Sequence, residues 1–190
     1  RGPGEKKLET DRRLIRTRIS ALKQELSQVE KHRELIRSSR ARGNMKTAAI
    51  VGYTNAGKST LLNTLTGSEV LSEDKLFATL DPTTRSFTLA DGQQILLTDT
   101  VGFIRKLPHH LIDAFRSTLE EAKYSDIIIH VIDSSNPQMD KHIHAVYETL
   151  EQLDVKDKII ITVFNKQDRL ENKPILRDFK ADYIVNAAIK

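Results

Sequence analysis

The feature that most constrains this chain is the run Gly52-Tyr53-Thr54-Asn55-Ala56-Gly57-Lys58-Ser59, followed by Thr60. It comes after an apolar segment, 47–51, that is typical of a buried strand, and it opens a segment, 58–66, that is typical of a helix ending at Gly67. A glycine-rich turn between a strand and a helix N-terminus presents backbone N–H groups to phosphate, so the run predicts a P-loop. In such a loop Lys58 reaches the β- and γ-phosphates and the Ser59 hydroxyl binds Mg²⁺. A tight glycine turn with an incidental lysine is the weaker alternative.

Short apolar runs alternate with helical stretches in the rest of the chain. The further predicted parallel strands are 127–132, 158–163 and 183–185, and the further predicted helices are 111–122 and 138–153. Segments 86–90 and 94–98 flank Asp91-Gly92, which predicts one antiparallel edge hairpin. The pattern favours an α/β fold, a P-loop NTPase domain of the Ras-like type with a mostly parallel sheet.

A second motif, Asp99-Thr100-Val101-Gly102, follows the apolar segment 95–97. The motif is weak by itself, but its place after a strand puts the acid at the same edge of the sheet as the P-loop. There Asp99 holds Mg²⁺ through water, and Gly102 offers its N–H to the γ-phosphate. We therefore expect Lys58 and Gly102 to act on the transferred phosphate.

The third motif, Asn165-Lys166-Gln167-Asp168, ends another apolar segment and identifies the base. A carboxylate at Asp168 can accept hydrogen bonds from the N1–H and N2–H₂ groups of guanine, whereas adenine presents an acceptor there and leaves the acid unpaired. The chain is thus expected to bind GTP and GDP, and an ATP-dependent enzyme is disfavoured. A capping Asn and Asp in an ordinary loop is the alternative interpretation.

The polar connection 77–85 is the candidate for a switch that orders around a nucleotide. Thr79, Thr83 and Thr84 can each supply a hydroxyl to Mg²⁺, and the residues alone leave the choice among them open. The residue after Gly102 is Phe103, which can neither orient water nor donate a side-chain hydrogen bond. We therefore expect slow intrinsic hydrolysis that a partner accelerates; a nucleotide-gated scaffold with incidental hydrolysis is the competing function.

The N-terminal segment differs from the rest in pattern and charge. Apolar residues recur at heptad spacing, which predicts a coiled-coil helix of about 30 residues that needs a partner helix; they are Leu8, Ile15, Ile19, Leu22, Leu26, Val29 and Ile36. Residues 1–46 hold 14 Lys and Arg against 6 Asp and Glu, a net +8, while the remainder holds 16 against 20, a net −4. The basic segment indicates either a polyanionic partner or a solvated helix face. We divide the chain into a helical segment, 1–43, and a nucleotide-binding domain, 44–190, that stops after its last strand.

Composition excludes several classes of protein. There is no cysteine, so disulfide frameworks and thiolate metal sites are excluded and a reducing, cytoplasmic setting is expected. An apolar run long enough for a membrane span is not found in the sequence. The first residue is Arg1 rather than Met, and a helix after the last strand is missing, which suggests a piece of a longer protein.

The motifs together resemble the HflX family of translation-associated GTPases over almost the whole chain. Three features carry the resemblance: the approach Arg1 to Glu5 before the long helix, the switch Phe77-Ala78-Thr79-Leu80-Asp81 followed by Pro82 to Arg85, and the extended run from Asp99 through Glu121. The runner-up is the Era and Obg group of ribosome-assembly GTPases, which share the core but lack the coiled-coil entry.

The resemblance implies several assignments beyond those made from the residues. It implies that Thr79 is the magnesium-binding switch threonine, that the helix packs against an upstream helix, and that the partner is the large ribosomal subunit and its RNA rather than DNA. It places the base-contacting loop at Asn186-Ala187-Ala188, where the family usually has Ser-Ala-Lys. In similar GTPases an asparagine at the position of Asn55 helps bind K⁺; a side chain that only braces the switch is the alternative.

Overall fold

The structure is a computed structural model that describes residues 3–42, 45–67, 83–103, 119, 121–171 and 175–188. The chain forms two compact units, Arg1–Met45 and Lys46–Lys190. The two units differ in secondary structure. The first contains one helix, and the second contains a six-stranded sheet with helices against it.

The first unit consists of helix α1, Pro3–Arg42, which has 40 residues. The expected length of about 30 residues was wrong, because the helix begins at Pro3 instead of after it and continues beyond the last heptad residue, Ile36, to Arg42. Proline is tolerated in the first turn, where its missing N–H has no intrahelical partner to lose. The described heptad side chains are 45–59% exposed; they are Ile15, Ile19, Leu22 and Val29. The partner helix expected for this stripe remains a prediction.

Helix α1 has enough residues to cross a bilayer, but charged side chains recur along it. A membrane-spanning helix needs roughly 20 consecutive, mostly apolar residues. Within the described ranges, the chain contains no helix with the length and hydropathy that a membrane crossing requires.

The second unit is built on a sheet with strand order β2-β3-β1-β4-β5-β6. The strands are β1 Lys46–Gly52, β2 Thr83–Thr88, β3 Gln94–Asp99, β4 Ile127–Asp133, β5 Ile159–Asn165 and β6 Tyr183–Asn186. All neighbouring pairs are parallel except β2 with β3. The carboxyl ends of five strands therefore meet at one edge, which is where ligands bind in open α/β sheets.

Strand β1 is central because its apolar residues are buried on both faces of the sheet. Ala49 and Val51 pack in one cluster with helix α3, Met139–Gln152, while Ala48 and Ile50 pack in the other with helix α2, Lys58–Thr66. Burial on both faces is typical of a parallel strand with helices on each side. The predicted α/β fold with one antiparallel edge pair is confirmed.

The element bounds differ most from the predictions at strand β2. Strand β2 begins at Thr83 instead of Ser86, since Thr83 pairs with Asp99 and extends the ladder into the predicted polar connection. Of the predicted helix 111–122, only Leu119 and residues 121–124 are described, and these are helical. The hairpin turn forms as predicted: Gly92 has a φ of 86°, and the Gln93 N–H donates to the Asp91 carboxylate at 2.9 Å.

Candidate nucleotide-binding site

The P-loop connects the carboxyl end of β1 to the first turn of α2. Asn55 and Gly57 both have left-handed backbone, with φ values of 61° and 96°. A Cβ at Gly57 would collide with the Asn165 side-chain amide, and one at Gly52 would collide with the Val131 carbonyl. The loop thus needs glycine at both positions, and it leads directly into a helix N-terminus, where unpaired N–H groups and the helix dipole favour an anion.

Lys58 lies inside the loop rather than on the surface. It is 7% exposed, and its Nζ donates to the Tyr53 carbonyl at 3.2 Å. Burial lowers the pKa of Lys58 to about 8, although the negative charge of Asp99 acts in the opposite direction. Phosphate would stabilise the charged form, so the buried lysine is suited to a polyanionic ligand.

Asp99 and Ser59 meet beside the first turn of α2. Asp99 is fully buried at the end of β3, and the Ser59 hydroxyl donates to its Oδ2 at 2.6 Å. A hydroxyl and a carboxylate are hard oxygen ligands of the kind that Mg²⁺ prefers near phosphates, so this pair fits the metal site predicted from the sequence. The third predicted metal ligand, Thr79, lies outside the described residues, as does the whole of Phe77-Ala78-Thr79-Leu80-Asp81.

Thr83 and Thr84, the other two switch candidates, lie in β2. The Thr84 hydroxyl is 2.9 Å from the Thr98 hydroxyl across the ladder. Thr83 stands opposite Asp99 in the register, next to the Ser59 contact. Strand pairing therefore occupies the hydroxyl of Thr84 and places Thr83 nearer the candidate metal ligands.

The rest of the second motif supports the turn that places Gly102. The Thr100 hydroxyl donates to the Ile50 carbonyl at 2.7 Å, and Val101 is buried. A Cβ at Gly102 would lie 2.8 Å from Lys58 Nζ and from Thr54, so only glycine fits against the lysine there. The two predicted phosphate-contacting residues, Lys58 and Gly102, are thus neighbours.

Phe103 joins the P-loop to the second motif. Its N–H donates to the Gly52 carbonyl at 3.0 Å, and its carbonyl accepts from the Thr54 N–H at 2.9 Å. Its side chain is 2% exposed and belongs to the core cluster around α3. A side chain held in the core cannot reach an attacking water, which agrees with the sequence argument for slow hydrolysis.

The third motif lies beside the P-loop, where β5 ends. The Asn165 amide donates to the Ala56 carbonyl at 3.0 Å, and Lys166 Nζ donates to the Asn55 carbonyl at 2.7 Å. Asp168 follows in a short 3₁₀ turn, Gln167–Arg169, and is exposed to solvent. Its carboxylate is thus accessible to a base, while the preceding two residues brace the loop that would hold the phosphates.

The predicted base-contacting loop 186–188 lies next to this motif. The Ala187 N–H donates to the Phe164 carbonyl at 2.9 Å, and the Ala187 carbonyl accepts from the Gln167 N–H at 3.1 Å. Upstream, the Asp178 carboxylate accepts from the Tyr147 and Thr162 hydroxyls at 2.7 and 2.6 Å. These contacts secure the chain that returns to β6 and bring 186–188 to the side of Asp168.

Sequence reasoning missed the segment Asp133-Ser134-Ser135 at the end of β4. Asp133 forms an ion pair with Lys166 at 2.9 Å, and the Ser134 N–H and hydroxyl both donate to the Asn165 carbonyl, the N–H at 3.0 Å. A signal was present, because an acid directly follows the apolar strand 127–132, as Asp99 follows 95–97. The segment lies between the phosphate and base loops only because β4 lies between β1 and β5.

Comparison with known proteins agrees with this site. The family model described as 50S ribosome-binding GTPase matches residues 47–166, and the one described as GTP-binding GTPase Middle Region matches residues 1–40. The GTPase HflX of Lacrimispora saccharolytica is 66% identical over 100% of this chain and 45% of its own length. The GTPase HflX of Caldanaerobacter subterraneus is 57% identical over 92% of this chain and 41% of its own length. The chain therefore spans less than half the length of these relatives.

A solved structure shows the same fold with a nucleotide bound. The GTP-binding protein of Sulfolobus solfataricus in complex with GDP superposes with a TM-score of 0.57 at 34% identity, over 76% of this chain and 43% of that one. That structure is of a GTP-binding protein, in agreement with the motifs described above. With the sequence matches on both units, this places the chain in the HflX family of P-loop GTPases.

Proposed function

We propose that the chain binds GTP with Mg²⁺, hydrolyses it to GDP and phosphate, and acts as a nucleotide switch on the large ribosomal subunit. The observation that carries the proposal is the contact between Ser59 and Asp99 at the N-terminus of α2, beside the buried Lys58. An anion-binding helix end, a buried ammonium and two hard oxygen ligands are the parts that phosphoryl transfer requires. The family matches support the same function.

Each half of the nucleotide has its own set of residues in this proposal. The phosphates lie in the loop from Gly52 to Thr60, with Lys58 on the β- and γ-phosphates and the Gly102 N–H on the γ-phosphate. Ser59, Asp99 and Thr79 hold Mg²⁺, which neutralises charge between the phosphates when bound. Guanine pairs with Asp168 and contacts the loop 186–188, next to Asn165 and Lys166.

Intrinsic hydrolysis is slow in this proposal because the residue that follows Gly102 has its side chain in the core. Phe103 is 2% exposed, so its side chain does not orient the attacking water. A partner that reorders the switch would then accelerate turnover, as partners do for other nucleotide switches. The basic character of residues 1–46 and the name of the matching family support a ribosomal particle as that partner.

The domain assignment follows the same division. Residues 44–190 carry the nucleotide switch, and the segment 1–43, which contains helix α1, pairs with a second helix and lies near RNA. The net charge of +8 on residues 1–46 supports a polyanionic neighbour for the helix.

The test is GTP turnover by this chain with and without purified large ribosomal subunits. Acceleration by the particles, absent in a Lys58→Ala variant, is the expected result. GTP binding without turnover under either condition would contradict the hydrolysis step and favour the nucleotide-gated scaffold. Equal turnover with and without particles would contradict the ribosomal role for the residues present here.

A further inference from the structure

Asp133 lies at the point where the phosphate and base halves of the site meet. Strand β4 runs between β1, which leads into the P-loop, and β5, which leads into the third motif. The Asp133 carboxylate accepts from Lys166 Nζ at 2.9 Å through Oδ2. The same ammonium donates to the Asn55 carbonyl at 2.7 Å. One cation therefore links the ends of three neighbouring strands.

The carboxylate is itself held in place by its own loop. Its Oδ1 accepts from the Ser135 N–H at 3.0 Å and from the Ser135 hydroxyl at 2.6 Å. Because both of its oxygens accept hydrogen bonds, the carboxylate is held in one orientation, with Oδ2 facing Lys166. Although burial raises the pKa of Asp133, the hydrogen bonds from Ser135 and Lys166 and the charge of Lys166 lower it further, so the group is ionised at neutral pH.

The surroundings make this ion pair stronger than a pair on the surface. The side chains of Lys166 and Asp133 are 11% and 18% exposed, so water screens the interaction little. Lys166 also has left-handed backbone, with a φ of 62°, which an unsupported lysine rarely adopts. Removing the carboxylate would leave a mostly buried ammonium with the Asn55 carbonyl as its remaining acceptor among those described here.

The Asn55 carbonyl belongs to the part of the P-loop with the least favourable backbone. Asn55 has a φ of 61°, and the residue is exposed. Because Lys166 Nζ donates to the Asn55 carbonyl itself, this contact directly restrains the peptide. A shift of this peptide would move the N–H groups that follow it and that are expected to meet phosphate.

We propose that Asp133 is a positioning residue for the bound nucleotide: by holding Lys166 against the Asn55 carbonyl, it sets the separation of the base loop from the phosphate loop. The inference rests on the proposed binding of guanine nucleotides and adds a residue outside the three sequence motifs. Asp133 acts through Lys166 and touches neither the base nor the phosphates.

The test is the dissociation rate of a fluorescent GDP from Asp133→Ala. Loss of the charge-assisted hydrogen bond to Lys166, together with the two bonds from Ser135 that orient the carboxylate, predicts dissociation faster by roughly 10-fold to 100-fold. The KM for GTP should rise, while kcat stays within about twofold, because Lys58, Ser59 and Asp99 are unchanged. Asp133→Asn keeps an acceptor oxygen without the charge and should fall between the wild type and Asp133→Ala.

Asp126 provides a control at the opposite end of β4 from Asp133. It precedes β4 at the opposite edge of the sheet, where its carboxylate accepts from the Thr47 N–H at 2.9 Å. Asp126→Ala should lower the melting temperature and leave GDP dissociation within about twofold, since it removes a carboxylate that anchors β1 to the start of β4 far from the site. An equal effect of Asp126→Ala and Asp133→Ala on GDP dissociation would overturn the inference.

A double-mutant cycle with Lys166→Ala tests the route of the effect. Because Asp133 acts through Lys166, Asp133→Ala should have little further effect on GDP dissociation in the Lys166→Ala background. Additive effects would overturn the inference. Wild-type protein that binds no guanine nucleotide would overturn the proposed function as well, whereas normal wild-type binding with an unchanged Asp133→Ala rate would overturn this inference alone.

Discussion

The phosphate half and the base half of the candidate site are built differently. In the phosphate half, Lys58 and Asp99 are 7% and 0% exposed; Lys58 donates to the Tyr53 carbonyl in the P-loop, and Asp99 accepts from Ser59 in the first turn of α2. In the base half, Asp168 is exposed in a 3₁₀ turn, next to a loop that is tied down by backbone contacts. The two halves meet where Lys166, beside the base loop, donates to the Asn55 carbonyl of the phosphate loop.

The two halves differ in how far their charged side chains are removed from water. Burial lowers the pKa of Lys58 to about 8, so its charged form is less stable there than in water, and an anion bound beside it would offset that cost. Asp168 is solvated, so the base half is free to select by hydrogen bonding at little cost to folding. Changes in the first half should therefore alter both stability and affinity, and changes in the second should alter selectivity.

The largest expected effect is on phosphate binding. Lys58→Ala should weaken GTP binding by about 1000-fold, because it removes charge-assisted hydrogen bonds to two phosphates in a buried setting. Equilibrium titration with a fluorescent GTP analogue measures this, with Lys156→Ala as the control, since Lys156 is 71% exposed and paired only with Asp154 among the ion pairs described. A loss below about tenfold would place Lys58 outside the phosphate site.

The second effect concerns the base half and should appear as a loss of selectivity for GTP over ATP. Asp168→Ala should weaken GTP binding by roughly 100-fold and leave the weak binding of ATP unchanged, because only guanine presents donors to this carboxylate. Competition of ATP against labelled GTP checks the ratio. Asp140→Ala, at an exposed acid in the first turn of α3, is the control. An equal loss of affinity for GTP and ATP would show that Asp168 stabilises the loop and does not bind the base.

The third effect concerns pH and the cost of burying Lys58. Its pKa is lowered from 10.5 to about 8, so between these values the unfolded state binds more protons than the folded state. The unfolding free energy of the nucleotide-free protein should therefore rise with pH across that window, by up to about 3 kcal/mol, and level off below it. Urea unfolding of the wild type and of Lys58→Met, compared at each pH, isolates this residue.

Lys58→Met lacks the titrating group, so the unfolding free energy of the wild type should rise relative to that of Lys58→Met as the pH rises from about 8 to about 10.5. Parallel curves would show that Lys58 keeps its ordinary pKa in the folded state. Bound nucleotide should remove the pH dependence, because phosphate stabilises the charged lysine.

The smallest expected effect is on the choice of monovalent cation. Asn55 has an exposed side chain next to the proposed phosphates, so K⁺ held there should raise GTP turnover by about tenfold over Na⁺, less than a buried arginine would. Asn55→Ala should abolish the difference between the two cations. Equal turnover in K⁺ and Na⁺ would limit Asn55 to bracing the loop.

Local sequence was enough to predict most of the fold. Helix α2 has the predicted bounds, and β1, β4 and β5 differ from theirs by one or two residues, since each is an apolar run bounded by turn or motif residues. The start of β2 was not predictable, because Thr83 to Arg85 are polar and become a strand only by pairing with β3. The start of α1 was misjudged at Pro3, where a helix breaker and a helix initiator look alike in sequence.

Within the site, the sequence alone determined which residues are predicted to act on the nucleotide, because each motif is a short contiguous run whose chemistry depends on its own spacing. Tertiary structure alone decided what holds those runs together. Asp133 and Lys166 are far apart in sequence, and their contact exists because β4 and β5 are adjacent and in register at Asp133 and Asn165. The same is true of Phe103, whose side chain is in the core because its backbone pairs with the start of the P-loop. Local pattern specifies strand ends, but only the order and register of the strands specify which ends meet.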